Sequence, residues 1–290
     1  MNPHVLLYSL ILLMVMCWSG NYVVAKTVFR EIPPSLVMAL RTTVSGALMV
    51  PIFWRQRSKL VRDEVGLLLL LGLGGVTLNQ FLWTLGAART TVVHSSMIVG
   101  TAPIWVLLIA AMMGLEQVTL PKIGGMLMAM TGIFILQIFR TRSTTAAPTV
   151  LGDVLVFASA LVFAAMTAIG KRYRPRSGPV TVTACAYIAG SVVCAPLYLI
   201  STPTFNFSQV TPGAWVGVLY MGAISSVTGY LIYYYALERI TASRIAAFQY
   251  LQPVLASGMA LLFLGEAIAL PAVFAGAIII AGVVVTERFG

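Results

Sequence analysis

Apolar residues run along this chain in stretches of about 20, the length a helix needs to cross the hydrocarbon core of a bilayer. Ten such stretches predict ten spans: Leu6–Val28, Ser35–Trp54, Val65–Gly86, Val93–Gly114, Lys122–Phe139, Gly152–Gly170, Val180–Ile200, Gly213–Ala236, Arg244–Leu264 and Ala272–Thr286. Ten spans in 290 residues leave about nine for each connection once ~20 cross the bilayer, so no soluble domain fits. The first stretch reads as a span rather than a signal peptide. Its leading region carries only His4, no A-x-A-like cleavage site follows, and nine more spans come after it.

Composition agrees. Apolar residues other than glycine make up 59% of the chain and charged residues 9%, where soluble domains carry about 25% charged residues. So few charges cannot cover a globule in water, and the solvent for the outer surface is lipid. The predicted fold class is an all-α membrane protein. A net charge of +10 then reads first as a topology signal. Twelve of the 18 Lys and Arg lie on the side that holds both termini, four on the other, and Lys26 and Arg41 inside spans. The richer side is predicted to be cytoplasmic, in a multi-pass protein of the cell inner membrane. Binding of nucleic acid gains no independent support. Cys17, Cys185 and Cys194 are odd in number and lie in apolar spans, which argues for packing over a disulfide framework or a metal site.

The second half repeats the first at an offset of 150 residues, without a gap from Gly66 onward. Gly72 meets Gly222, Arg89 meets Arg239, Pro103 meets Pro253, Glu116 meets Glu266, Pro121 meets Pro271 and Gly132 meets Gly282. The specific part is E-x-x-x-L-P, once at Glu116…Leu120-Pro121 and again at Glu266…Leu270-Pro271. This divides the chain into 1–145 and 146–290, five spans each. An odd number of spans forces the second copy into the membrane from the opposite side. Inverted repeats are the architecture of many secondary transporters, with the substrate between the halves near the midplane.

Particular residues carry a resemblance as well. They are Trp18-Ser19-Gly20-Asn21 with Lys26, Ala39-Leu40-Arg41, Gly86-Ala87-Ala88-Arg89, Ala236-Leu237-Glu238-Arg239, Pro103 through Gly114-Leu115-Glu116, and Pro253 through Leu264-Gly265-Glu266. Over essentially its whole length the chain resembles the drug/metabolite transporter superfamily, specifically its EamA-type exporters. One departure is Gly114-Leu115-Glu116, where the second copy keeps the family's usual L-G-E. The resemblance implies ten helices, cytoplasmic termini, a central cavity lined mainly by spans one, three, four, six, eight and nine, and export of amino acids or related compounds.

Polar side chains inside a membrane face either a partner or a wet cavity. Trp18 and Asn21 share a helical face, with Gly20 leaving room for a substrate or another backbone. Asn79 and Trp83 share a face of span three, while Gln80 lies about 100° away. Tyr230, Tyr233 and Tyr234 form a stripe in span eight, which reads as cavity wall or as packing. Gln249, Tyr250 and Gln252 precede Pro253, which frees the carbonyl of Gln249, as Pro103 frees that of Val99. Paired proline interruptions point to a transport site or to simple kinks. His94, Ser95 and Ser96 open span four, where the histidine reads as an interfacial residue ahead of a proton relay. Lys26 and Arg41 lie toward span ends and are expected to snorkel; facing the cavity, they would attract a carboxylate.

The predicted lining residues are therefore Trp18, Asn21, Asn79, Trp83, Gln249 and Tyr250, with Tyr230 and Tyr233 behind them. All eight acids fall in loops or at span ends, so none is placed to carry a coupling proton, and facilitated or at most weakly coupled transport is expected. Walker A, H-E-x-x-H and G-x-S-x-G sequences are missing, which leaves an enzyme reading and a cofactor without support. Gly125, Ala129 and Gly132 in span five, with Ala272, Gly276, Ala277 and Ala281 in span ten, permit close helix contact, within the chain or in a homodimer. The expected partners are a small-molecule substrate and the lipid bilayer. Competing readings are a carrier of nucleotide-sugar-like or phosphorylated metabolites, and a membrane interaction protein without transport.

Overall fold

The computed structural model describes residues 3–90, 92–138, 149–202, 205–264 and 270–289, with the side chains of Lys26, 92–94, Ser96 and 260–264 outside the description. Among the described residues the chain forms ten helices: α1 (Pro3–Glu31), α2 (Pro34–Gln56), α3 (65–87), α4 (92–112), α5 (Leu120–Ile138), α6 (Val150–Tyr173), α7 (Gly178–Ser201), α8 (Pro212–Leu237), α9 (242–264) and α10 (Leu270–Phe289). Eight of them are long and apolar enough to cross a membrane. The exceptions are α4 and α9, which are interrupted where the sequence places its paired prolines. In α4 the interruption falls at Gly100–Thr101, with Thr101 N–H bonded to the Ile98 carbonyl at 3.0 Å, just before Pro103. In α9 it is the tight turn Phe248–Tyr250, just before Pro253. The expected ten helices are present, two of them broken. Large apolar side chains cover the outside, as Met112, Ile138 and Val192 show, each at least 70% exposed.

The duplication is visible in the backbone. A nine-residue π-helical segment interrupts α3 at Leu70–Leu78, and another interrupts α8 at Tyr220–Thr228, 150 residues later. Wide π turns are rare and occur mostly as single bulges, so two long ones at equivalent positions mark the repeat strongly. Arg89 and Arg239 behave alike too, each donating from Nη1 to the carbonyl four residues before it, Leu85 at 2.9 Å and Tyr235 at 2.7 Å.

Each half packs into the other in the same way. A Cβ at Gly72 in α3 would fall 2.5 Å from Cα of Ala186 in α7, and one at Gly222 in α8 would fall 3.1 Å from the Arg41 carbonyl in α2. The equivalent helices α5 and α10 run against each other through Gly125, Gly132 and Gly282, where an added methyl would meet backbone atoms at 2.5–2.8 Å. These small residues of span five thus join the two halves within one chain.

Candidate functional site

A cavity of about 110 Å³ lies between the halves and draws residues from seven helices. From α1 come Trp18, Asn21 and Tyr22; from α3, Asn79, Gln80 and Trp83. Val99 and Ala102 line it where α4 breaks, and Gln249 and Gln252 where α9 breaks. The far wall is Ser159, Ala160 and Phe163 of α6 with Ser225 and Tyr230 of α8. The seventh helix is α2, which contributes Arg41.

The π segments shape this cavity. Trp18 Nε1 donates to the Ser225 carbonyl at 3.0 Å, and the Tyr230 hydroxyl donates to the Gly75 carbonyl at 3.4 Å. Gly75 and Ser225 are equivalent positions of the two π segments, so an aromatic side chain of each half bonds the same carbonyl of the other. Such bonds are available because a π turn displaces carbonyls from the regular i→i−4 ladder. Ser226 and Thr228 accordingly reach back five residues, to the Met221 and Ala223 carbonyls at 2.7 and 3.3 Å.

Six of the eight predicted lining residues meet here: Trp18, Asn21, Asn79, Trp83, Tyr230 and Gln249. Tyr233 is buried behind Trp18, its ring 5.8 Å away, with its hydroxyl on Thr167. Tyr250 is buried in the tight turn of α9, away from the cavity, and its hydroxyl has no partner. Asn79 bridges helices: its Nδ2 donates to the Ser159 carbonyl at 2.9 Å and to Ser159 Oγ at 3.0 Å, and its Oδ1, 3.3 Å from the Tyr230 hydroxyl, shares that hydroxyl's single proton with the Gly75 carbonyl. Other polar atoms in the wall are buried without protein partners, namely Asn21 Oδ1, Gln80 Oε1 and Gln249 Nε2. Leaving such an atom unbonded costs about 1–3 kcal/mol, so these atoms are poised for water or a ligand.

Several sequence expectations change. Arg41 does not snorkel: it is 3% exposed, and its Nε and Nη2 donate to Ser226 Oγ at 3.2 and 2.9 Å. The hydroxyl and the cavity replace the interface as its polar surroundings. Gln80 reaches the wall with its 100° offset from Asn79 intact, because the cavity takes in two sides of α3: Asn79 faces Ser159 of α6, and Gln80 faces α7, with Nε2 on the Tyr187 hydroxyl at 2.9 Å. Gly20 faces neither substrate nor backbone; it accommodates the Tyr220 ring, whose hydroxyl donates to the Cys17 carbonyl at 2.9 Å. The expectations for the Lys26 and His94 side chains, and for Glu266, lie outside the described residues.

The lining rings of Phe163 and Tyr230 pack on Tyr233 at 5.4 and 6.0 Å, and a polar cluster sits at the helix ends on the side that holds the termini. Glu116 accepts from Ser243 N–H at 3.0 Å and from its hydroxyl, and pairs with Lys122 at 3.1 Å. Lys171 donates to the carbonyls of Leu237 at 2.7 Å and Ile240 at 2.5 Å. Acids such as Glu116 stay in these end regions, and none lines the cavity among the described residues.

Comparison with known families settles the class. The sequence matches the EamA-like transporter family twice, over residues 5–138 and 150–288. The chain belongs to the EamA-like transporter family. It is 27% identical over 285 residues, covering 96% of both chains, to an uncharacterised transporter of Archaeoglobus fulgidus. It is also 27% identical over 227 residues, 78% of this chain and 74% of the other, to a probable terminal-alkyne amino-acid exporter of Streptantibioticus cattleyicolor. A crystal structure with a TM-score of 0.80 and 18% identity, covering 97% of this chain and 96% of the other, shares its fold. This EamA protein is a transporter, not an enzyme, built of ten helices in two inverted halves.

Proposed function

We propose that this transporter moves a small amphipathic organic solute, an amino acid or a close relative, through the central cavity by alternating access, outward across the inner membrane with both termini in the cytoplasm. The observation that carries the reading is the cavity itself. Residues of both inverted halves converge on it, its wall mixes tryptophan and tyrosine with amides, and three of those amide atoms are buried without partners. Apolar walls with a few oriented polar groups are the usual make-up of a small-molecule site. The halves 1–145 and 146–290 act as the two moving units, and the polar cluster at Glu116 belongs to a state closed on the terminal side. That the Streptantibioticus relative is a probable terminal-alkyne amino-acid exporter supports the amino-acid class.

The test is counterflow of a radiolabelled amino-acid panel in proteoliposomes. Asn79→Leu removes the bonds to Ser159 and Tyr230. Polar contacts between membrane helices contribute about 0.6 kcal/mol on average, so folded yield is expected to hold while flux falls about tenfold. Parallel loss of yield and flux would make Asn79 a packing residue. Without a carboxylate in the cavity, flux is expected to be unchanged by an imposed pH gradient; strong dependence would overturn facilitated transport.

A further inference from the structure

Among the described residues Arg41 is the one charged side chain in the cavity wall, and no acidic side chain pairs with it. The ion pairs among the described residues are Lys122–Glu116, Arg176–Glu64 and Arg239–Glu238, all outside the cavity. A guanidinium offers five N–H donors in a planar fork. Two go to Ser226 Oγ, and that hydroxyl is neutral and gives its own proton to the Met221 carbonyl at 2.7 Å. The other three donors have no partner among the described residues, and Arg41 lines the cavity. A buried cation without a partner is costly, and the fold retains it at 3% exposure.

The surroundings name the missing partner. Ser226 fixes the guanidinium from the side of the π segment, leaving its other edge for a planar anion, and Arg favours two parallel bonds to a carboxylate. A nucleotide sugar or a diphosphate would call for several cations, and among the described residues this wall has a single one. Asn21 Oδ1 and Gln80 Oε1, buried acceptors without partners, are available for a donor such as an ammonium on the same ligand. The tryptophans and tyrosines opposite suit an apolar side chain.

We propose that Arg41 is the anion anchor of the transport site and that the transported solutes carry a free carboxylate, bound by the guanidinium edge that Ser226 leaves open. This rests on the amino-acid reading above and sharpens it, because the carboxylate rather than the amine becomes the obligatory group.

The test compares L-phenylalanine, L-leucine and L-methionine with their carboxamides, which keep the side chain and the amine and remove only the negative charge. Thermal stabilisation of the purified wild-type protein and counterflow in proteoliposomes are the two readouts. At least one acid is expected to stabilise the protein and exchange across the membrane, with its carboxamide at least tenfold weaker. Arg41→Gln should abolish that difference, whereas Ser226→Ala, which removes the supporting bond and keeps the charge, should preserve it. Acid and carboxamide acting equally on wild type, or an acid preference that survives in Arg41→Gln, overturns the anchor while transport stands. Should Arg41→Gln fail to fold, the wild-type comparison and Ser226→Ala decide. Flux of the carboxamides alone, or of no compound in the panel, overturns the carboxylate class, and in the second case the amino-acid reading fails with it.

Discussion

The seam between α5 and α10 contains two adjacent glycines with opposite surroundings, which makes it a sharp test of how the halves are joined. A Cβ at Gly125 would fall 2.7 Å from both the Gly282 carbonyl oxygen and the Thr286 nitrogen, and would also meet Thr286 Oγ1, whereas a Cβ at Gly124 has nothing within 4 Å. The obstructing nitrogen and carbonyl are helix backbone and cannot rotate away. Restoring an ordinary 3.4 Å contact needs a separation of about 0.7 Å (3.4 − 2.7) between the two helices. Overpacking of this kind costs about 1–3 kcal/mol. At roughly 2–4 °C per kcal/mol for a chain of a few hundred residues, Gly125→Ala is expected to lower Tm by at least about 2 °C. Gly124→Ala should leave Tm unchanged or raise it slightly, since alanine is about 0.5–1 kcal/mol the better helix former. Both variants would be compared in one detergent by thermal unfolding, with size-exclusion chromatography alongside. Equal shifts for the two, or an unchanged Tm for Gly125→Ala, would refute the seam. A change in oligomeric state with Tm preserved would assign these glycines to a homodimer instead.

The polar cluster at Glu116 gives a second prediction. The Glu116 and Lys122 side chains are only 2% and 6% exposed, so Glu116→Gln strands a buried cation and should cost about 3–5 kcal/mol. Adding Lys122→Met is expected to recover a substantial part in a double-mutant thermal cycle, and simple additivity would show that the two do not act as a pair. Gly229→Ala places a methyl on the Trp18 indole nitrogen and 3.1 Å from its Cδ1. The ring must leave the Ser225 carbonyl, so amino-acid counterflow should fall at least tenfold while the protein remains folded; full activity would remove Trp18 from the site.

Much of this architecture is legible in the sequence because lipid imposes it: backbone groups must be satisfied within each span, and apolar runs therefore report helices directly. The repeat is legible because glycines and prolines at equivalent positions do equivalent work, as Gly72 and Gly222 do against α7 and α2. What the sequence hides is helix phase. A regular 3.6-residue count carried along α3 misplaces Asn79 and Gln80 relative to the first turns of the helix, because the π segment before them resets the phase without a proline or charge to announce it. Arg41 is hidden for a related reason. Its depth of about six residues in span two, ~9 Å at 1.5 Å per residue, allows snorkelling, and only the packing of α2 against α8 shows that Ser226 meets it first. Tyr250 has the right type and neighbourhood for a lining residue, but the tight turn of α9 points it into the packed interior.

The two π segments also explain how a symmetric frame yields an asymmetric site. The Gly75 and Ser225 carbonyls belong to the backbone, so duplication carries both into the finished fold whatever the side chains become. Side chains at equivalent positions are then free to diverge. Asn79 fills its place in α3 with an amide that ties α6 to α8, while its equivalent, Gly229, is empty space that admits the Trp18 indole. Exchange of the two residues would remove the amide from one wall and the ring from the other. The bonds they frame are unequal as well, 3.0 Å for Trp18 to Ser225 and 3.4 Å for Tyr230 to Gly75.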